Sequence, residues 1–221
     1  MNALTHLLLS TMSMLLFVLP VRATESQEFK LTVVKGTVET DGASGFQKTA
    51  EGAVLKAGQT IRTSAGSTAV VKYPNGSLVK LNANSSTKLI SISRIDLMRG
   101  ALFAHIAKED HPHFEVRTKT VVAGVRGTEF FTSYGGGKSR DDGWLCVHEG
   151  EVEVKPEGNL EPVVVKAGFG IVFKPGQKIA PPDKFEWTEH LNWNMDSASG
   201  DVTDKTSIDS MYKDILKHNY D

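Results

Sequence analysis

The chain has 221 residues, 40% hydrophobic, 8% aromatic and 23% charged, with 25 Lys and Arg against 26 Asp and Glu. That composition excludes a disordered chain, a collagen-like fibre and a multi-span membrane protein, and the even charge leaves no basic excess to neutralise nucleic acid. A lone cysteine, Cys146, excludes an intramolecular disulfide and a cysteine-built zinc cluster.

Residues 7–19 (LLLSTMSMLLFVL) form a short apolar run, followed by Pro20 and Val21-Arg22-Ala23. Small residues near the end of such a run mark a secretory leader, with cleavage expected after Ala23. The run is too short to span a hydrocarbon core of roughly 30 Å as a helix. The expectation is a signal peptide over 1–23 and a periplasmic or secreted product with no stable membrane insertion after cleavage.

From 29 to 182 the chain reads as a β domain. Val, Ile, Thr and Phe cluster in short runs: LTVV (31–34), TAVVKY (68–73), FEVRT (114–118), EFFTSY (129–134), VEV (152–154), PVVV (162–165) and IVF (171–173). Turn pairs such as Asp41-Gly42, Ala57-Gly58 and Glu149-Gly150 separate them, and Asn75-Gly76 is the strongest hairpin signal. No stretch of this domain sustains a helical period.

One phrase occurs twice. Gly36-Thr37-Val38-Glu39 precedes Lys56-Ala57-Gly58-Gln59-Thr60-Ile61, and Gly150-Glu151-Val152-Glu153 precedes Lys166-Ala167-Gly168-Phe169-Gly170-Ile171, with a partial echo at Arg99-Gly100-Ala101-Leu102. The repetition predicts stacked β coils or a twisted β-sandwich.

The succession KGTVE, then LKAGQTIRTSAGSTAVVKYPNGSLVKL, DLMRGALFAHI, HFEVRTKTVVAGVRGTEFFTSY and LCVHEGEVEV resembles the FecR domain over about residues 30 to 175. Its most specific piece is Thr118 through Phe130, ending Val125-Arg126-Gly127-Thr128-Glu129-Phe130. The resemblance implies an all-β periplasmic domain. The better-known members are transmembrane anti-sigma regulators that read outer-membrane siderophore receptors. This chain departs from them, with no cytoplasmic sigma-binding region before its apolar run and no spanning helix, so the expectation is a stand-alone exported member.

Beyond 183 the composition changes. Phe185, Trp187 and Trp193 are interspersed with polar residues, 196–204 reads as a linker, and Ile208, Met211, Tyr212, Ile215 and Leu216 give an amphipathic helix over 207–218.

Candidate chemistry is sparse. In the extended segment 111–118, His111, His113, Glu115 and Arg117 share one face while Phe114 and Val116 share the other. His111, His113 and Glu115 are the ligands of an alternative reading, a cupin-like metal-dependent enzyme, with His105 as a further donor. Arg117 on the same face opposes a cation, so an ordinary solvated strand is favoured and no metal or cofactor is expected. Tyr134-Gly135-Gly136-Gly137-Lys138-Ser139 lacks the first glycine and following helix of a phosphate-binding loop and reads as a hairpin tip. Gly127 is expected at a tight bend with Arg126 paired, and Cys146 as a small buried hydrophobe.

The favoured reading is a non-enzymatic binding module of the bacterial envelope, in a sensing or scaffolding role. It would contact another envelope protein or peptidoglycan through loops 41–46 and 134–143 and segment 185–193. The contact candidates are Phe46, Tyr134, Lys138, Arg140, Trp187 and Trp193.

Overall fold

The computed structural model describes residues 27–108, 114–135, 141–158 and 160–206, with Glu186 and Trp187 described by backbone only. The leader, the 207–218 segment, His111, His113, Lys138 and Arg140 lie outside the described residues, as does the side chain of Trp187.

Sixteen strands follow one another: β1 (Glu28–Lys35), β2 (Val38–Gly42), β3 (Gly45–Lys48), β4 (Val54–Lys56), β5 (Thr60–Thr63), β6 (Thr68–Lys72), β7 (Leu78–Leu81) and β8 (Ser86–Ser91). Then come β9 (Arg94–His105), β10 (Phe114–Arg117), β11 (Val121–Val125), β12 (Glu129–Tyr134), β13 (Gly143–Glu149), β14 (Glu151–Pro156), β15 (Val163–Lys166) and β16 (Gly170–Phe173). They form one hydrogen-bonded network that β9 folds into two facing sheets. The first half of β9 pairs with β8 and β10, and its second half pairs with β7 and β12. One sheet therefore runs β4-β1-β6-β7-β9-β12-β13-β16, and the other β3-β2-β5-β8-β9-β10-β11-β14-β15. This is the coiled, sandwich-like β architecture expected from the repetition.

Every pair is antiparallel except β9 with β10. Parallel neighbours need a crossover. Here the second half of β9 lies in the opposite sheet, so the chain returns beside the first half in the same direction. Gly100 makes that crossing. Its φ is +93°, and a Cβ there would stand 2.3 Å from Ser85 Oγ and 2.5 Å from Ser85 Cα. The Ala101 N–H donates to the Ser85 hydroxyl at 2.9 Å. The same device recurs at Gly36, where the Thr37 N–H donates to Ser67 Oγ at 2.9 Å as the chain passes from β1 to β2.

The repeated Lys-Ala-Gly phrase is likewise a corner between sheets. Gly58 N–H donates to Leu89 O and Gln59 N–H to Lys56 O; Gly168 N–H donates to Val147 O and Phe169 N–H to Lys166 O. The first corner leads from β4 in one sheet to β5 in the other, and the second from β15 back to β16, in the opposite sense. The repetition thus encodes a corner rather than a duplicated domain. Asn75-Gly76 closes the expected hairpin between β6 and β7.

The main core lies between the sheets and takes Phe29, Leu31, Val71, Leu102, Phe130 and Leu145 from one, and Ile61, Leu89, Ile95, Val116, Val152 and Val165 from the other. A second core lies on the outer face of the first sheet. Val33, Val70, Phe103, Phe131, Trp144 and Cys146 project there and are buried under Phe185, Leu191, Met195 and Val202 from residues 183–206. We call this the covered sheet and the other the open sheet.

The stretch 196–204 was expected to be a linker, and here the structure differs. Val202 is 0% exposed, and Asn192 Nδ2 donates to the carbonyls of Asp201 and Thr203. A sheet face carrying two Phe and a Trp must be removed from water, and residues 183–206 cross it as a strap. Among the described residues the only helical element is a 3-10 turn, Glu186–His190, and none is a helix long and apolar enough to cross a membrane.

Candidate partner-binding surface

Phe46 stands on β3, near the tip of the β2–β3 hairpin, and is partly exposed. The exposed Arg62 of β5 lies flat over it, Cζ 3.5 Å from the ring centroid. Asp41, opposite Phe46 in the hairpin, anchors the tip to β5: its carboxylate accepts from the Thr60 N–H and its carbonyl from Gln59 Nε2. The platform is therefore held by backbone as well as by the cation–π contact, which is worth about 0.5–1 kcal/mol at an exposed site. Phe46 was legible as a candidate; Arg62, sixteen residues away, was not, because only the β2–β5 pairing brings it alongside.

Tyr134 is placed differently from expectation. At 4% exposure its ring belongs to the main core, and its hydroxyl donates to the Asp141 carboxylate at 2.7 Å. Lys119 Nζ reaches the other Asp141 oxygen at 3.0 Å, and Thr120 Oγ1 donates to the Asp141 carbonyl. The Tyr134 bond is the main cause holding the Asp141 carboxyl below its usual range; burial, the main cause for Tyr134, pushes its phenol up to about 12. Tyr134 braces Asp141 at the start of the approach to β13 and offers a partner almost no surface.

Trp193 is half-buried. It meets Phe103 edge-on, centroids 5.1 Å apart, and stacks on His148 at 4.6 Å and 17°. Phe185 is also buried against the covered sheet. Phe185 is thus spent inside the molecule and Trp193 in part, for the reason that made 196–204 part of a strap.

Under the strap lies Lys80, which the sequence reading passed over. It is 0% exposed. Its ammonium donates to the Asn192 carbonyl and, at 3.0 Å, to the Asn194 carbonyl, and sits 4.0 Å from the centre of the Phe103 ring. Burial lowers its pKa to about 8, against the pull of Asp204 and Glu129. Glu129 lies between His105 (4.0 Å) and His148 (3.8 Å), and burial raises its pKa while both histidines oppose that shift. His105, the further donor of the metal reading, therefore faces the covered sheet's outer side.

On the open sheet, Phe114 and Val116 are buried, and Glu115 and Arg117 face outward, as the alternation predicts. Arg117 grips the Glu115 carboxylate at 2.9–3.0 Å, and Arg94 grips Asp96 likewise on the adjacent strand. Glu115 is therefore engaged by a guanidinium. Among the described residues no three His, Cys, Asp or Glu side chains are grouped as a metal site. Gly127 makes the expected bend, φ +59°, and Arg126 beside it is exposed. Cys146 is buried, and burial pushes its thiol pKa up. A thiol so held is a poor nucleophile.

Residues 59–153, from just before β5 into β14, match the family model described as FecR protein. Two crystal structures of a candidate anti-sigma factor from Parabacteroides distasonis, at 1.65 and 2.50 Å, share the fold with a TM-score of 0.50. The identity is 19%, and the similarity covers 59% of this chain and 62% of that one, so it spans less than two thirds of that protein. No curated protein matches the chain.

Proposed function

We propose that this FecR-domain chain is an exported binding module of the bacterial envelope, sensing or scaffolding rather than catalysing, whose partner is another envelope protein or peptidoglycan. The FecR match carries the reading. The leader-like run at 7–19 supports export, and the likeness to a candidate anti-sigma factor fits a regulatory setting.

The geometry supplies a place for contact. The strap occupies the outer face of one sheet, whereas the open sheet presents Phe46 beneath Arg62, a pairing of the two residue classes that dominate interface energetics. Lys138 and Arg140, outside the described residues, remain candidates on the same reading.

The test is a photo-crosslinking residue at position 46 in the full-length protein, expressed in its native envelope, with position 178 as the exposed control. The expected result is one envelope protein or glycan captured from position 46 and not from 178, and lost on Arg62→Ala. Equal capture from both positions, or retention of the protein in the cytoplasm, overturns the proposal.

A further inference from the structure

At the end of the sandwich where β1 begins and β6 ends there is a cavity of about 660 Å³. That volume lies within the range of roughly 300–1,000 Å³ typical of small-molecule sites. Its lining includes Phe29, Val54, Tyr73, Pro74 and Ile92, together with Lys30 and Lys72. Gln27 at its edge accepts the Ile92 N–H through Oε1, which ties the start of β1 to the turn after β8.

Three features of this place are unusual. Val54, on the edge strand β4, is 55% exposed, more than any other large hydrophobic residue described. Tyr73 is buried between Phe29 and Phe114, centroids 4.8 and 5.3 Å away, yet its hydroxyl has no hydrogen-bond partner among the described residues. Buried phenols normally find one. Finally, Lys30 and Lys72 stand directly opposite each other in the antiparallel β1–β6 pair, both exposed. Like charges in that relation repel, and among the described residues no carboxylate forms an ion pair with either.

We propose that this mouth binds a small amphipathic anion, an acyl or aryl carboxylate. Its apolar body would lie on Val54, Pro74 and Ile92 and its carboxylate between the ammonium groups of Lys30 and Lys72. An anion there turns a repulsive pair into a two-point clamp and covers the exposed valine. Glu28, also in the lining, disfavours a dianion or a second acidic group on the ligand. The site lies on the opposite sheet from the Phe46–Arg62 platform and does not depend on the partner reading.

The experiment is a calorimetric titration of the full chain with dodecanoate, against uncharged dodecanol and the cation dodecyltrimethylammonium. Dodecanoate should bind at least about tenfold more tightly than either. Lys30→Ala with Lys72→Ala should erase that preference without lowering Tm, since the repulsion is removed with the charges. Val54→Glu should weaken dodecanoate on its own. Equal binding of the three probes, wild-type affinity in the double variant, or no dodecanoate binding up to millimolar concentration overturns the proposal.

Discussion

The two sheets solve the same packing problem differently. Strands of the open sheet alternate cleanly: β14 exposes Glu151, Glu153 and Lys155 and buries Val152, Val154 and Pro156, and β10 does the same in short form. The central strands of the covered sheet are buried on both faces: Phe130 to Tyr134 on β12 and Gly143 to Val147 on β13 are all inaccessible. One-sided burial leaves a solvated face, whereas two-sided burial requires another layer. The strap of residues 183–206 is that layer. The open sheet carries ion pairs on its solvated outer face, whereas a buried ammonium, Lys80, lies beneath the strap.

The largest expected difference between the two outer faces is in the cost of truncation. Phe103→Ala should destabilise by about 3–5 kcal/mol, since it leaves a cavity in the second core. Glu153→Ala, on the solvated outer face of the open sheet, should stay within about 0.5 kcal/mol. Chemical denaturation of the two variants measures both, and equal losses would break the distinction.

Val202→Asp comes next. A carboxylate in that buried position should cost about 2 kcal/mol, the loss being limited because the strap can lift away. Trp193 fluorescence should shift to the red, and hydrogen exchange should rise in β7, β9, β12 and β13 while β10, β11 and β14 are unchanged. Uniform exchange would mean that the strap does not act as a separate layer.

The pH response sharpens the same contrast. Lys80 titrates near 8 in the folded protein against 10.5 when unfolded. Between those values the unfolded chain holds more protons, so stability rises with pH. Above about 9 the raised pKa of Cys146, and above about 10 those of Tyr73 and Tyr134, work in the opposite sense. The Lys80 contribution is therefore read as a difference: from pH 8 to 10 the wild type should gain thermal stability relative to Lys80→Met, which shares the other groups. A constant difference across that range would place the effect elsewhere. The smallest effect belongs to the Lys35–Asp201 pair at the strap's far end, 2.6 Å long but exposed at both partners. Asp201→Asn should leave stability almost unchanged, and any loss should shrink further at high salt.

Much of this was readable from particular residues. Asn75-Gly76, the alternation in 114–117 and 151–156, and the glycine-centred corners follow from local stereochemistry, which acts over a few residues. Apolar runs such as Phe130-Phe131 and Trp144-Leu145-Cys146-Val147 also carried an unread signal, because a strand without a polar face needs cover on both sides. Phe46, Tyr134 and Trp193 were all named as contact candidates, yet Tyr134 lies in the core and Trp193 is half-buried, since an aromatic beside polar residues fits core or surface until its neighbours are known. Lys80 gave no sign at all: a lysine in SLVKL looks solvated, and only carbonyls 112 and 114 residues away make its burial possible.

By itself, then, the amino-acid order determined an all-β chain with crossing glycines and a FecR-type succession of motifs, because turn chemistry and alternation are local. Tertiary structure alone decided which sheet is covered, which aromatics remain at the surface, and which lysines meet. Those outcomes depend on strand pairings between residues far apart in the chain, where the energy of burying a face, rather than the preference of any residue, selects the arrangement.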